Sequence, residues 1–338
     1  TMMESQITQG DAKIGAGNNL ISYGLTSKGT LTENANTGNV TINGAQSSHG
    51  KMVIVANHDI TISGAQTTTN QGDLVIIAGH DIDHTAGALN ADKAVGELAG
   101  NNLFAGAISA KAGTSIIAIN NLTLKEVNIT GGGLEVTSGN GSITISGNQQ
   151  AQGDIVYVAG KSVINNSNTT LIKAVNASVT PNTKYKLAVY ARTGAVTING
   201  IVTADTVIGY SLGGSLVMYN SGNAIDNFGD LVGIGVGVAS SKDIQLSGTI
   251  YNDAGNTLIN ASGKKITLNA SINIASGKMS LMAASYAANS YTVKGVRKDY
   301  NITYKDTVLN ASDLNSFSTT PTAGLMKAKT DGLVIRSN

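Results

Sequence analysis

Short apolar runs that alternate with polar residues, broken at near-regular intervals by Gly, Asn, Ser and Asp, fill most of this chain. Alternation with period two is the mark of a half-buried β-strand. The run Lys51–Gly64 (KMVIVANHDITISG) returns as Asp73–Gly87 (DLVIIAGHDIDHTAG), as Asp154–Ile164 and as Lys186–Gly200. Each copy reads as one alternating strand, a turn, and a second alternating strand. The turn residues Ala16, Ala35, Ala56, Ala78, Ala99, Ala118, Ser138 and Ala159 lie seven steps and 143 residues apart, about 20.4 residues per step. A period of that size marks a solenoid, in which coils bury together what one coil cannot bury alone. Later markers, at Ala191, Tyr219, Ala239, Ala261 and Ala283, are less regular.

The spacing predicts an all-β protein, a right-handed parallel β-helix of roughly 13 coils, on the order of 60 Å long at about 4.8 Å per coil. Residues 1–10 form an N-terminal segment, a cap or pairing strand. The helix runs over 11–284, with loop insertions near 162–185 and 201–214 where the marker step lengthens. Residues 285–338 form a less regular β-rich segment, a cap or an inter-subunit pairing element. Residues 285–305 carry more Tyr and charge and alternate like exposed antiparallel strands. The run Asp331–Arg336 looks like the first strand of a repeat without its second. Leu333, Val334 and Ile335 are therefore candidates for capping this chain or pairing with a neighbouring one.

Composition fits a stacked coil. The chain has 338 residues with 41 Gly and only 2 Pro, as expected where corners need small residues and ladders need every N–H. Charged residues make up 13% and the net charge is +1, which speaks against nucleic acid as a partner and against an anionic membrane surface. No apolar run approaches the ~20 residues of a membrane-spanning helix. Absence of Cys removes disulfides and thiolate chemistry. The first residues, Thr-Met-Met-Glu-Ser, carry no signal-peptide pattern, which implies either a cytosolic protein or a processed or excised piece, and the non-Met start favours the second.

The modules 56–64, 72–82 and 153–161 resemble filamentous-haemagglutinin-type repeats over about residues 10–284. That resemblance implies a β-helical shaft of a secreted bacterial exoprotein, at the cell surface or outside it. The secretion-domain motif of such proteins, of Asn-Pro-Asn-Gly type, is absent. The function expected is a non-enzymatic structural or adhesive one: a shaft, or a self-assembling subunit of a fibre. Its partners are other copies of itself, end to end, and host or matrix protein or carbohydrate. The alternative is a polysaccharide lyase or hydrolase built on a β-helix.

Candidate chemistry is sparse. His58 and His80 hold the same module position 22 residues apart, with Asp59 and Asp81 beside them. The equivalent places elsewhere, Asn18, Asn101, Lys161 and Ser241, favour a tolerant exposed turn. No metal, cofactor or catalytic residue is assigned, and the residues that would hold a metal are His58, His80 and Asp81. His84 falls where Ile62 points inward and reads as an interior histidine. Ser48 and His49 lack a third triad partner. Asp81 and Asp83 form the one acid pair worth weighing for glycoside chemistry. Tyr157, Tyr190, Tyr210, Tyr219 and Tyr251 form an adhesive stripe if exposed and core if inward.

Overall fold

A computed structural model describes residues 2–3, 6–174 and 184–268, together with the strands at 271–274, 279–288, 292–295, 301–304, 307–310 and 333–336. Among these residues there is no helix, and neighbouring coils stack as parallel strands. The chain forms two compact units, Thr1–Gly160 with Ala174–Val179, and Lys161–Lys173 with Thr180–Asn338. Together they hold about 12 turns, near the roughly 13 expected.

In the first unit each coil carries three strands, where the sequence suggested two. One coil, for example, has Met52–Ala56, Ile60–Ile62 and Gln66–Thr68. The first strands stack in the anticipated register. Ala16, Ala35, Ala56, Ala78, Ala99, Ala118, Ser138 and Ala159 pair in succession without a slip. Their inward centres form a column of Ile14, Glu33, Ile54, Ile76, Glu97, Ile116, Val136 and Tyr157. Second strands stack Leu20, Val40, Ile60, Ile82, Leu103, Leu122 and Ile143. These aliphatic side chains are almost wholly buried, each contributing about 1.5–3 kcal/mol of hydrophobic stabilisation.

The third column hides in the sequence because several of its inward residues are polar. Gln46, Gln66 and Gln149 are buried, in line with Leu89, Ile108 and Val127. Each amide nitrogen has two acceptors. Gln66 Nε2 donates to the carbonyls of Gly44 (3.3 Å) and Gly64 (3.0 Å), and Gln149 Nε2 to those of Lys125 (2.6 Å) and Gly147 (2.9 Å). These donors satisfy carbonyls where the chain turns between the second and third strands. The coils also press closely there: a Cβ on Gly64 would lie 2.2 Å from the Gly44 carbonyl carbon, so only Gly fits.

The second unit keeps the stacking and changes the register. Ala191 pairs with Ser211, not Tyr219. Tyr219 follows the second-strand column, in which Val163, Val196, Leu216, Val236, Thr257, Met279 and Leu333 succeed one another. The insertion expected at 201–214 is largely one strand, Ile201–Ser211. No corner glycine interrupts it until Gly213, so the end of one coil runs straight into the first strand of the next. In the other expected insertion, Leu171–Ala174 is a strand, and 175–183 lie outside the described residues.

The terminal segments also belong to the ladders. Met2–Met3 pairs with Ile21 and Ser22, and Gln6–Thr8 with Leu25–Ser27. Met279–Ala288 and Thr292–Gly295 continue the parallel stacking, contrary to the antiparallel reading of 285–305. Among the described residues, the antiparallel pairing expected for that stretch is made by Asn301–Tyr304 alone, with Thr307–Asn310. Leu333–Arg336 pairs in parallel with Met279–Met282 of its own chain, in the second-strand column, where the sequence suggested a first strand. One edge of that strand is thus taken within the chain.

Candidate functional site

The corner between first and second strands gathers His58, Asp59, His80 and Asp81 of the residues singled out in the sequence. In the first unit the residue just before each second strand is Asn, Asp or Ser, and its job there is visible. The Asn19 side-chain oxygen accepts the Asn39 N–H (2.9 Å), Asn39 that of Asp59 (3.0 Å), and Asp59 that of Asp81 (3.1 Å). Asp81 accepts from Asn102 (2.8 Å), Asn102 from Asn121 (3.1 Å), and Asn121 from Ser142 (3.2 Å). Each corner N–H is an otherwise orphaned donor, and a short side chain one coil away supplies its acceptor. Asp59 and Asp81 are therefore rungs of a structural ladder.

On this ladder sit His58 and His80. Their rings stack with centroids 5.0 Å apart and planes 25° apart. His58 Nδ1 lies 2.8 Å from Asp59 Oδ2, and His80 Nδ1 lies 2.9 Å from Asp59 Oδ1. Asp81 Oδ2 is 3.4 Å from His80 Nδ1. On the far side of the ring, Asn101 Nδ2 is 3.2 Å from His80 Nε2. Burial pushes the Asp59 pKa up, but the Asp81 N–H and the two imidazoles outweigh it and hold the carboxyl below its ordinary value. Both histidines are half exposed. The sequence pointed to His58, His80 and Asp81; the bridging group is Asp59, which the stacking of its neighbours could have suggested.

His84 is fully buried, as the inward position of Ile62 implied. Its Nδ1 accepts the Gly106 N–H at 3.2 Å, and Nε2 lies 3.0 Å from Glu97 Oε1. A second interior polar node lies at Glu33, with Gln46 Nε2 bridging Glu33 Oε1 (3.1 Å) and Ser22 Oγ (3.0 Å). Both acids replace an aliphatic in the first-strand column and meet polar partners from the other columns. Composition gave no signal for them.

The remaining candidates do not converge. Asp83 Oδ1 accepts from the Thr85 N–H (2.9 Å) and hydroxyl (2.8 Å), while Asp81 is engaged with Asn102. Ser48 Oγ is turned to the Gly29 carbonyl at 2.7 Å and His49 Nδ1 to Thr69 Oγ1 at 3.1 Å. The tyrosines divide: Tyr157 is core, whereas Tyr190, Tyr210 and Tyr251 share one outward column, in which Val232 separates Tyr210 from Tyr251. Tyr190 and Tyr210 lie 6.1 Å apart between ring centroids. The Tyr210 hydroxyl donates to Asp230, which raises the phenol to about 12.

The outer face of the first-strand sheet in the first unit has more relief. Ile77, Leu98 and Ile117 succeed one another outward, 37%, 42% and 38% exposed, as an apolar ridge. Two residues earlier on the same strands the outward column reads Val75, Gly96, Ser115, Glu135 and Val156. Small Gly96 and Ser115 leave a groove of about 600 Å³, with Asp73, Lys93, Glu135 and Asp154 in its lining. Comparison with family models, curated proteins and solved structures finds no match. The filamentous-haemagglutinin likeness therefore rests on the repeat residues, and the class of protein defined by the fold is a parallel β-solenoid.

Proposed function

We propose that this β-solenoid is a non-enzymatic structural unit, a shaft or self-assembling subunit of an extracellular fibre of the filamentous-haemagglutinin kind. The observation that carries the reading is the corner ladder. The Asx residues from Asn19 to Asn121 hold one coil to the next through backbone N–H groups, so these polar groups serve stacking. A stack tied at each step suits a mechanical role.

The ridge of Ile77, Leu98 and Ile117 beside the Gly96–Ser115 groove supports lateral contact with a second copy. A two-fold axis along the stacking direction sets the ridge of each copy opposite the groove of the other, an isologous contact. The test is electron microscopy and sedimentation velocity over a range of concentration, for the wild-type chain and for Leu98→Asp with Ile117→Asp. Wild-type fibres support the fibre reading, and concentration-dependent pairs that the double variant loses support the lateral contact. A wild-type chain that stays monomeric and forms no fibres defeats both. The groove's acids favour one second reading, a polysaccharide-cleaving enzyme, which new reducing ends or unsaturated products from a glycan panel would reveal.

A further inference from the structure

We propose that His58, Asp59 and His80 form a binding site for one divalent cation of the zinc, copper(II) or nickel class. The argument is independent of the fibre reading and rests on the geometry of one corner. A 22-residue step places two imidazoles on adjacent coils at the same position, and their backbones are tied by the His80 N–H to His58 carbonyl bond of 3.0 Å. The two Nδ1 atoms converge on one carboxylate, at 2.8 and 2.9 Å. One donor atom from each of the three residues lies within 4.8 Å of the others. Closing that triangle around an ion at about 2.0–2.2 Å from each donor needs only small rotations of exposed side chains.

The donor set selects the ion. Two imidazole nitrogens with one carboxylate oxygen suit the borderline metals, whereas calcium and magnesium prefer oxygen throughout. The surroundings hold the donors ready. Asp59 Oδ1 is fixed by the Asp81 N–H (3.1 Å), and the His80 ring is fixed on its far edge by Asn101. Asp81 Oδ2, 3.4 Å from His80 Nδ1, stands beside the site as a further oxygen donor. The solvent side stays open for water or for a donor from another molecule. Along this corner the next positions are Asn101 and Asn120, which keep the stack but offer no imidazole.

Those asparagines also supply fold-preserving variants. Isothermal titration of the full chain with zinc, nickel and calcium chlorides at about pH 7.5 tests the site. The expected result is one saturable site for zinc and nickel and no matching calcium site. His58→Asn and His80→Asn each weaken binding at least tenfold with an unchanged circular dichroism spectrum. Asp59→Asn keeps a corner acceptor and weakens binding by a smaller factor. Absence of a saturable zinc site, equal calcium affinity, or a His58→Asn/His80→Asn double variant that binds as wild type does would each overturn the proposal.

Discussion

Glu33 stands in a column whose neighbours on either side are Ile14 and Ile54, so its substitution tests what an ionisable group costs inside these coils. Burial raises the pKa of Glu33 above its ordinary 4.5, and the nearby Ser22 hydroxyl and Gln46 amide offset only part of that. The folded chain therefore holds the proton more tightly than the unfolded one does. Stability from this group is fully present below about pH 4.5 and falls as pH rises toward the folded pKa. Two buried oxygens, Glu33 Oε2 and Gln46 Oε1, lack hydrogen bonds. In Glu33→Gln the new amide donates where no donor existed, next to the Gln46 side chain, and the charge is gone. An unsatisfied buried polar atom costs about 1–3 kcal/mol, and the variant should gain in that range near pH 7.5. Near pH 4, where wild-type Glu33 carries its proton, the gain should shrink to about 0.5 kcal/mol or less. Urea unfolding of both proteins at the two pH values, followed by far-ultraviolet circular dichroism, measures the difference. Other titrating groups are common to both chains and cancel. An equal effect at both pH values, or a loss at neutral pH, refutes the account of Glu33 as a desolvated acid.

Two further substitutions probe the ladder and the core. Asp81→Ala removes the acceptor for the Asn102 N–H, and should cost about 1 kcal/mol and speed exchange of that amide several-fold, whereas Asp81→Asn should restore both; equal exchange in the two variants would count against the ladder. Tyr157 is buried with its hydroxyl unpaired, and burial raises its pKa, so Tyr157→Phe should be neutral or stabilising by up to about 1 kcal/mol in urea midpoint measurements; a clear loss would mean that the hydroxyl has a partner.

What the sequence reveals of this fold follows from what hydrophobic alternation can register. Ile54, Ile76 and Ile116 alternate with outward Val, Ile and Ser residues in strands bounded by turn residues, so the first column and its eight markers are legible to the residue. The third column is not, because Gln46, Ser48, Gln66 and Thr68 face inward and look like loop. Their heads satisfy carbonyls at the corners, as Ser48 does for Gly29 and Gln66 for Gly44 and Gly64, so a polar inward residue and the glycines nearby are one device. Ile201–Ser211 escaped for the opposite reason: two strands of successive coils join with no glycine between them, and a pattern read by its punctuation sees an insertion. The histidine corner lies between these cases. Its 22-residue step put His58 and His80 in register at once, but the carboxylate both rings share depends on which side chain already accepts a backbone N–H from the next coil. Asp59 does so through Oδ1 and has Oδ2 left to face His58, and that division of one carboxylate is a property of the stacked corner. The same ladder that makes Asp59 a structural residue thus positions it between two imidazoles, and at this corner the stacking role and the metal chemistry proposed for it use different lone pairs of one group.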